Sequence, residues 1–146
     1  YMEDSGIPVM LRDVQTLSIW EGTTNVLSLD MLRAIEKENG LQAFKTFTEN
    51  YLSAITTPEL TTQKNIVHKK TAVLFSFLQQ LKNKEAVEAV SRDIAFYIAE
   101  ITIAILWLDF LKTNATKANY LNTLDYWIRY KMNENDFYTS QTLGLI

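Results

Sequence analysis

An all-α helical bundle is the fold class the sequence predicts, and three observations carry it. Only four glycines and two prolines punctuate 146 residues, which leaves little room for the tight turns of a hairpin-rich fold. Apolar residues recur at spacings of three and four along most of the chain, as on one face of a helix. No stretch alternates with period two for long enough to make a strand.

The elements follow in order. Pro8, just after Gly6, suits a first helical turn and predicts a short helix over 8–16. Thr23, Thr24 and Asn25 are capping residue types, followed by apolar residues at 26, 27, 29, 31, 32, 34 and 35. They predict a helix of about four turns, closed by Gly40. Leu41, Phe44, Phe47, Tyr51, Leu52 and Ile55 place the next helix over 41–55, with Pro58 ending it or opening its successor. A further amphipathic helix is expected over 60–81, a long apolar one over 85–112, and a last one over 117–132 carrying Tyr120, Leu124, Trp127, Ile128 and Lys131.

The run "IAFYIAEITIAILWL" at 94–108 is the most apolar in the chain. It is too short for a bilayer span, which needs about 20 apolar residues, and it carries Glu100 inside with Asp93 and Asp109 at its edges. It is expected to be the central core helix, with Asp93, Tyr97 and Glu100 forming the stripe that reaches water. Trp107, Trp127, Phe75, Phe77, Phe96, Tyr97, Phe110, Tyr120 and Tyr126 fall at packing intervals and are expected in the core or at an interface.

Composition narrows the function classes. With 47% hydrophobic and 21% charged residues the chain is of the ordinary globular kind. A formal charge of −3 offers no general attraction for nucleic acid or an anionic membrane. Residues 1–40 hold three basic and seven acidic side chains, and residues 41–146 eleven and ten. Lys64, Lys69, Lys70, Lys82 and Lys84 lie in a stretch without acids, but they read as a solvated helix face. The absence of cysteine removes disulfides, thiolate metal sites and cysteine nucleophiles, and fits a reducing compartment. His68 is the only histidine, so no histidine metal cluster can be drawn, and it reads as a helix-surface residue; no metal is expected. The chain starts at Tyr1 with no basic-then-apolar leader, and reads as a piece of something longer, of intracellular origin, cytoplasmic or mitochondrial.

The stretch "LSIWEGTTNVLSLD" at 17–30 interrupts the helical pattern with a Trp-Glu-Gly corner. Trp20 beside Glu21 can desolvate the carboxylate and raise its pKa toward the range of a general base. Gly22 lets backbone approach a ligand closely, since no Cβ intervenes. Thr23, Thr24 and Asn25 then open a helix whose free amides and positive dipole end can hold an anionic group such as a phosphate. Together these residues describe a base placed beside a phosphate-bearing cofactor.

At these residues the sequence resembles a known family. "LRDVQTLSIWEGTTNVLSLDMLR" at 11–33 is similar to the C-terminal signature of acyl-CoA dehydrogenases, an Arg-Asp helix leading into an aromatic-Glu-Gly-Thr segment, and is most similar to the AidB-like branch. The resemblance covers roughly residues 1–40 and is only architectural beyond them. It implies FAD as cofactor and a fatty acyl-CoA thioester as substrate. Glu21 matches the family's catalytic base, which takes the α-proton while the β-hydrogen leaves as hydride to the flavin N5, and its backbone N–H would bond the thioester carbonyl. Ile19, Trp20, Gly22, Thr23, Thr24 and Asn25 match the segment lining the FAD site, with Trp20 walling the acyl pocket or flavin edge.

The domain reading follows: 1–40 as the end of the dehydrogenase C-terminal helical domain, 41–146 as an additional helical segment packed with it. The family's β-domain and N-terminal helices lie outside these residues, so the chain alone is expected not to turn over substrate. A homo-oligomer is expected. The alternative is a non-enzymatic helical assembly module, with the segment beyond 41 serving a partner or nucleic acid.

Overall fold

The computed structural model describes residues 3–19, 22–81, 83–113 and 118–132. Among them are seven α-helices and no strand: α1 (Ile7–Leu17), α2 (Thr24–Lys37), α3 (Gly40–Ser53), α4 (Thr61–Gln80), α5 (Lys84–Ala89), α6 (Ser91–Lys112) and α7 (Ala118–Lys131). Single 3-10 turns at Glu3–Ser5 and Pro58–Leu60 precede α1 and α4. The all-α bundle expected from the sequence is the fold observed.

The bundle is built around α6, against which α2, α3, α4, α5 and α7 pack. Ile94, Ile101, Ala104, Ile105, Leu108 and Leu111 of α6 are buried, as are Val67, Leu74 and Phe77 of α4, Leu52 of α3, and Leu124 and Ile128 of α7. At the far end of α3, Ile55 and Leu60 flank the Pro58 turn and are buried while Pro58 itself is exposed, so the link between the two helices is anchored in the core on both sides of the proline. The Nζ of Lys64 donates to the Ile55 carbonyl at 2.8 Å and satisfies an acceptor that the chain reversal leaves open.

Four local expectations are corrected. Gly40 does not close α2: Glu38 ends it, Asn39 takes the left-handed conformation at φ 54°, and Gly40 is the first residue of α3. Asn shares with glycine the ability to adopt that region, which frees Gly40 for a different task, the close crossing described below. The helix expected over 85–112 breaks at Val90, which leaves helical dihedrals so that both Ala86 and Val90 face the core. The Oδ1 of Asn83 accepts the Ala86 amide at 2.8 Å and caps the short α5.

Tyr97 is buried and does not reach water. Asp93 is exposed and Glu100 half-buried, as expected, and the exposed positions of α6 also include Arg92, Phe96, Ala99, Ile103, Leu106 and Phe110. Lys70 likewise leaves the solvated lysine face: it is buried, its Nζ 5.2 Å from the Tyr97 ring centroid. A long aliphatic stem makes that burial affordable while the ammonium group finds an aromatic face. Lys82 lies outside the described residues.

As a helix, α6 spans 22 residues, longer than the run 94–108. By length and composition it could cross a membrane, and 39% of its most apolar window is buried inside the bundle.

Candidate functional site

The corner between α1 and α2 is assembled from short-range hydrogen bonds. At the end of α1 the Ser18 hydroxyl donates to the Gln15 carbonyl at 2.7 Å and the Ile19 amide to Thr16 at 3.1 Å, which winds the helix to a stop. The Gly22 amide donates to the Ile19 carbonyl at 3.2 Å, and the Thr23 carbonyl accepts from Leu27 at 3.0 Å, the first hydrogen bond of α2. Helix therefore does not run unbroken through 18–26: α1 ends at Leu17 and α2 begins at Thr24.

Gly22 adopts φ +125°, a conformation that side-chain-bearing residues rarely occupy. A Cβ there would also come within 3.3 Å of Val26 Cγ1. Thr23 is extended at φ −70°, ψ 159° and forms the N-cap of α2, but its side chain makes no capping bond. Thr23, Thr24 and Asn25 are exposed. The first-turn amides of α2 have no carbonyl partners within the helix, so they and the positive end of its dipole stay available to an acceptor.

Of the candidate site residues, the fold thus brings Gly22, Thr23, Thr24 and Asn25 together at one helix start. Ile19 is 68% exposed on the α1 side of the corner. Trp20 and Glu21 lie outside the described residues. The residues present fit an anionic, phosphate-bearing group: a glycine in a conformation that only glycine adopts easily, a helix start with open amides, and exposed hydroxyl and amide side chains.

The surface around this corner is apolar, which sequence periodicity did not reveal. Ile7, Val9, Met10, Leu11, Val14 and Leu17 of α1 are all exposed, and Pro8 is its buried residue. Val26, Leu27 and Leu29 of α2 are exposed too. Further along α2, Leu29, Leu32 and Ile35 form with Val87 of α5 an open groove of about 550 Å³, rimmed by Arg33, Glu36, Lys84 and Glu88. Arg33 and Asp30 pair on the helix surface, as their i, i+3 spacing suggests. His68 is exposed and lines a groove between α3 and α4. Among the described residues, no three His, Asp or Glu side chains are grouped to hold a metal.

A family model described as acyl-CoA dehydrogenase 11 C-terminal domain-like matches residues 39–142. The chain belongs to the acyl-CoA dehydrogenase family. It is 37% identical over 139 residues to acyl-CoA dehydrogenase family member 11 of Caenorhabditis elegans, an alignment covering 90% of this chain and 22% of that protein. It is also 42% identical over 41 residues to the putative acyl-CoA dehydrogenase AidB of Escherichia coli (strain K12), covering 28% of this chain and 8% of that protein. The chain therefore spans about a fifth of the length of its nematode relative. No solved structure matches it.

Proposed function

We propose that this acyl-CoA dehydrogenase family chain is the C-terminal helical part of an FAD-dependent enzyme that introduces an α,β double bond into a fatty acyl-CoA thioester. Residues 1–40 would complete the catalytic helical domain and 41–146 would form the additional helical segment. The single observation that carries the reading is the coincidence of the family-like motif with the α1–α2 corner, where Gly22 takes φ +125° directly before the open start of α2.

In this reading Glu21 is the base that takes the α-proton of the thioester, and its backbone N–H steadies the carbonyl oxygen as negative charge develops there. Trp20 walls the acyl pocket. The Gly22 backbone admits the cofactor at close range, while Thr23, Thr24, Asn25 and the α2 amides hold its anionic portion. FAD, when bound, supplies the acceptor for the β-hydride. The exposed apolar faces of α1 and of the start of α2 are the surfaces on which the remainder of such an enzyme would close.

The test uses the longer protein with flavin and acyl-CoA. Loss of flavin absorbance on adding substrate, abolished by Glu21→Gln and kept in Asp30→Asn, is the expected result. Bleaching that persists in Glu21→Gln removes Glu21 from the mechanism. The 146-residue chain alone is expected to release flavin on gel filtration.

A further inference from the structure

The cleft between α4 and α6 carries chemistry that the proposed flavin site does not use. Ile66, Lys69, Lys70 and Val73 of α4, Tyr97 of α6 and Met132 at the end of α7 line a cavity of about 360 Å³. Two of these six residues are cations and none is acidic. Lys70 is 6% exposed, and its Nζ lies 5.2 Å from the centre of the buried Tyr97 ring. An aromatic face meets part of the demand of a buried ammonium group, and a paired anion meets the rest. Lys69, exposed at the next position of α4, lines the same cleft.

The chain that leaves α7 starts at this cleft. The Met132 amide donates to the Ile128 carbonyl at 2.7 Å, which carries the α7 hydrogen-bond pattern up to the cleft wall, and the Met132 side chain is buried. The sequence that follows, "NENDFYTSQTLGLI", holds Glu134 and Asp136 and neither lysine nor arginine. Residues 60–84 are its electrostatic complement, with five lysines and no acid. The family match runs on through this sequence to residue 142. Two and four residues of extended backbone reach at most about 7 and 14 Å. Both carboxylates therefore fall within reach of ammonium groups that share a cavity wall with Met132.

We propose that residues 133–138 fold back across this cleft as a strap, with the carboxylates of Glu134 and Asp136 on the ammonium groups of Lys69 and Lys70. Phe137 then covers the apolar side of the cleft, where Ile66 is half-buried and Val73 is 41% exposed. The pair at Lys70 is shielded from water and the pair at Lys69 is screened by it, so salt loosens the second first. A segment tethered a few residues away acts at an effective concentration on the order of millimolar. That tether favours this segment over any remote part of a longer protein. The strap ties the end of α7 to the middle of α4 across α6, and closes the cleft to other anions. This inference is independent of the flavoenzyme reading, since it uses none of the residues at the α1–α2 corner.

Carbodiimide cross-linking of the whole 146-residue chain, read by mass spectrometry of the monomer, tests it. The expected product is an amide bond between Lys69 or Lys70 and Glu134 or Asp136. Hydrogen exchange supplies a second reading. The amides of 133–138 should exchange about tenfold faster in Lys69→Glu, and again in Lys70→Met, which keeps the buried stem. Raising the salt concentration should speed them in the unaltered chain. Lys45→Gln, in the groove between α3 and α4, should leave them as they were. Slow exchange in Lys69→Glu should return when Glu134→Lys or Asp136→Lys, whichever faces Lys69, is added; a chain merely damaged at position 69 would show no such rescue.

Cross-links from Lys69 and Lys70 only to Asp93 or Glu100 of α6, or only between chains, overturn the proposal. Exchange at 133–138 that neither lysine substitution alters overturns it as well. A Tyr97 ring resonance that shifts with added propionate, while 133–138 exchange at the rate of an unstructured peptide, would assign the cleft to a free carboxylate instead.

Discussion

The carbonyl oxygen of Ala34 lies 3.0 Å from the point where a Cβ on Gly40 would sit, with Ile35 Cα 3.3 Å from it. The turn from α2 into α3 is therefore closed by backbone meeting backbone, and neither atom can swing aside as a side-chain tip would. Gly40→Ala should separate the two helices and destabilise the chain by about 1–3 kcal/mol, the usual range for an inserted methyl group without space. The gain in helix propensity is small because Gly40 is the first residue of α3 rather than an interior one. Urea denaturation of the variant checks this; unchanged stability would mean that the crossing has slack.

A second polar contact joins α4 to α7. Buried Gln63 donates through Nε2 to Asp125 Oδ1 at 3.0 Å, and Arg129 reaches Asp125 Oδ2 at 2.9 Å from the solvent side. Arg129 is 80% exposed at its side chain, so its ion pair is screened and held at an entropic cost. Arg129→Ala should change stability by less than about 0.5 kcal/mol. Asp125→Ala should cost about 1–3 kcal/mol, because it leaves the buried amide of Gln63 without its acceptor. The same denaturation experiment on both variants separates the two, and equal losses would contradict the argument.

Gly22 and Gly6 both have positive φ, but they differ in surroundings. At Gly6, φ +73°, nothing lies within 4 Å of an added Cβ, whereas at Gly22, φ +125°, Val26 Cγ1 is 3.3 Å away. Gly22→Ala should therefore strain the corner by about 1–3 kcal/mol, enough to loosen the Leu27 amide bond to Thr23. Hydrogen exchange at Leu27 should rise by about tenfold or more in Gly22→Ala, and global stability should fall by no more than that strain, since opening of the corner, which packs little apolar surface, limits the loss. In the longer protein, the same substitution should weaken flavin retention. Gly6→Ala should leave Leu27 exchange as it was.

How far the sequence could be read depended on how distinct each helix face was. The helices near 41–55, 60–81 and 117–132 were legible because residues such as Leu52, Val67, Leu124 and Ile128 stand out against polar neighbours. In α6 nearly every position is apolar, so periodicity carried no direction. The stripe through Asp93 and Glu100 placed Tyr97 in water, where the structure buries it. The choice of face is made by α2, α4 and α7 packing around α6, which is tertiary information. Lys70 was misplaced for a related reason: a lysine is read by its charge, yet its stem packs like an aliphatic chain. At the corner, the break before Thr23 and the special role of Gly22 were legible because glycine and capping residues act locally. The uncovered apolar flank of α1 was not, because exposure depends on what packs there rather than on spacing.

Two isoleucines on α6 separate what holds the fold from what lies on its surface. Ile101 is fully buried, while Ile103, two residues on, is 47% exposed. Two residues turn a helix by about 200°, so the pair points to nearly opposite sides. Ile101→Ala removes three carbons from a closed core and leaves a cavity, which should cost about 2–5 kcal/mol and lower the melting temperature by several degrees. Ile103→Ala removes the same atoms from a surface and should change monomer stability by less than about 1 kcal/mol. Melting curves of the two variants distinguish these outcomes, and a large loss of stability in Ile103→Ala would mean that this position is held by the core after all.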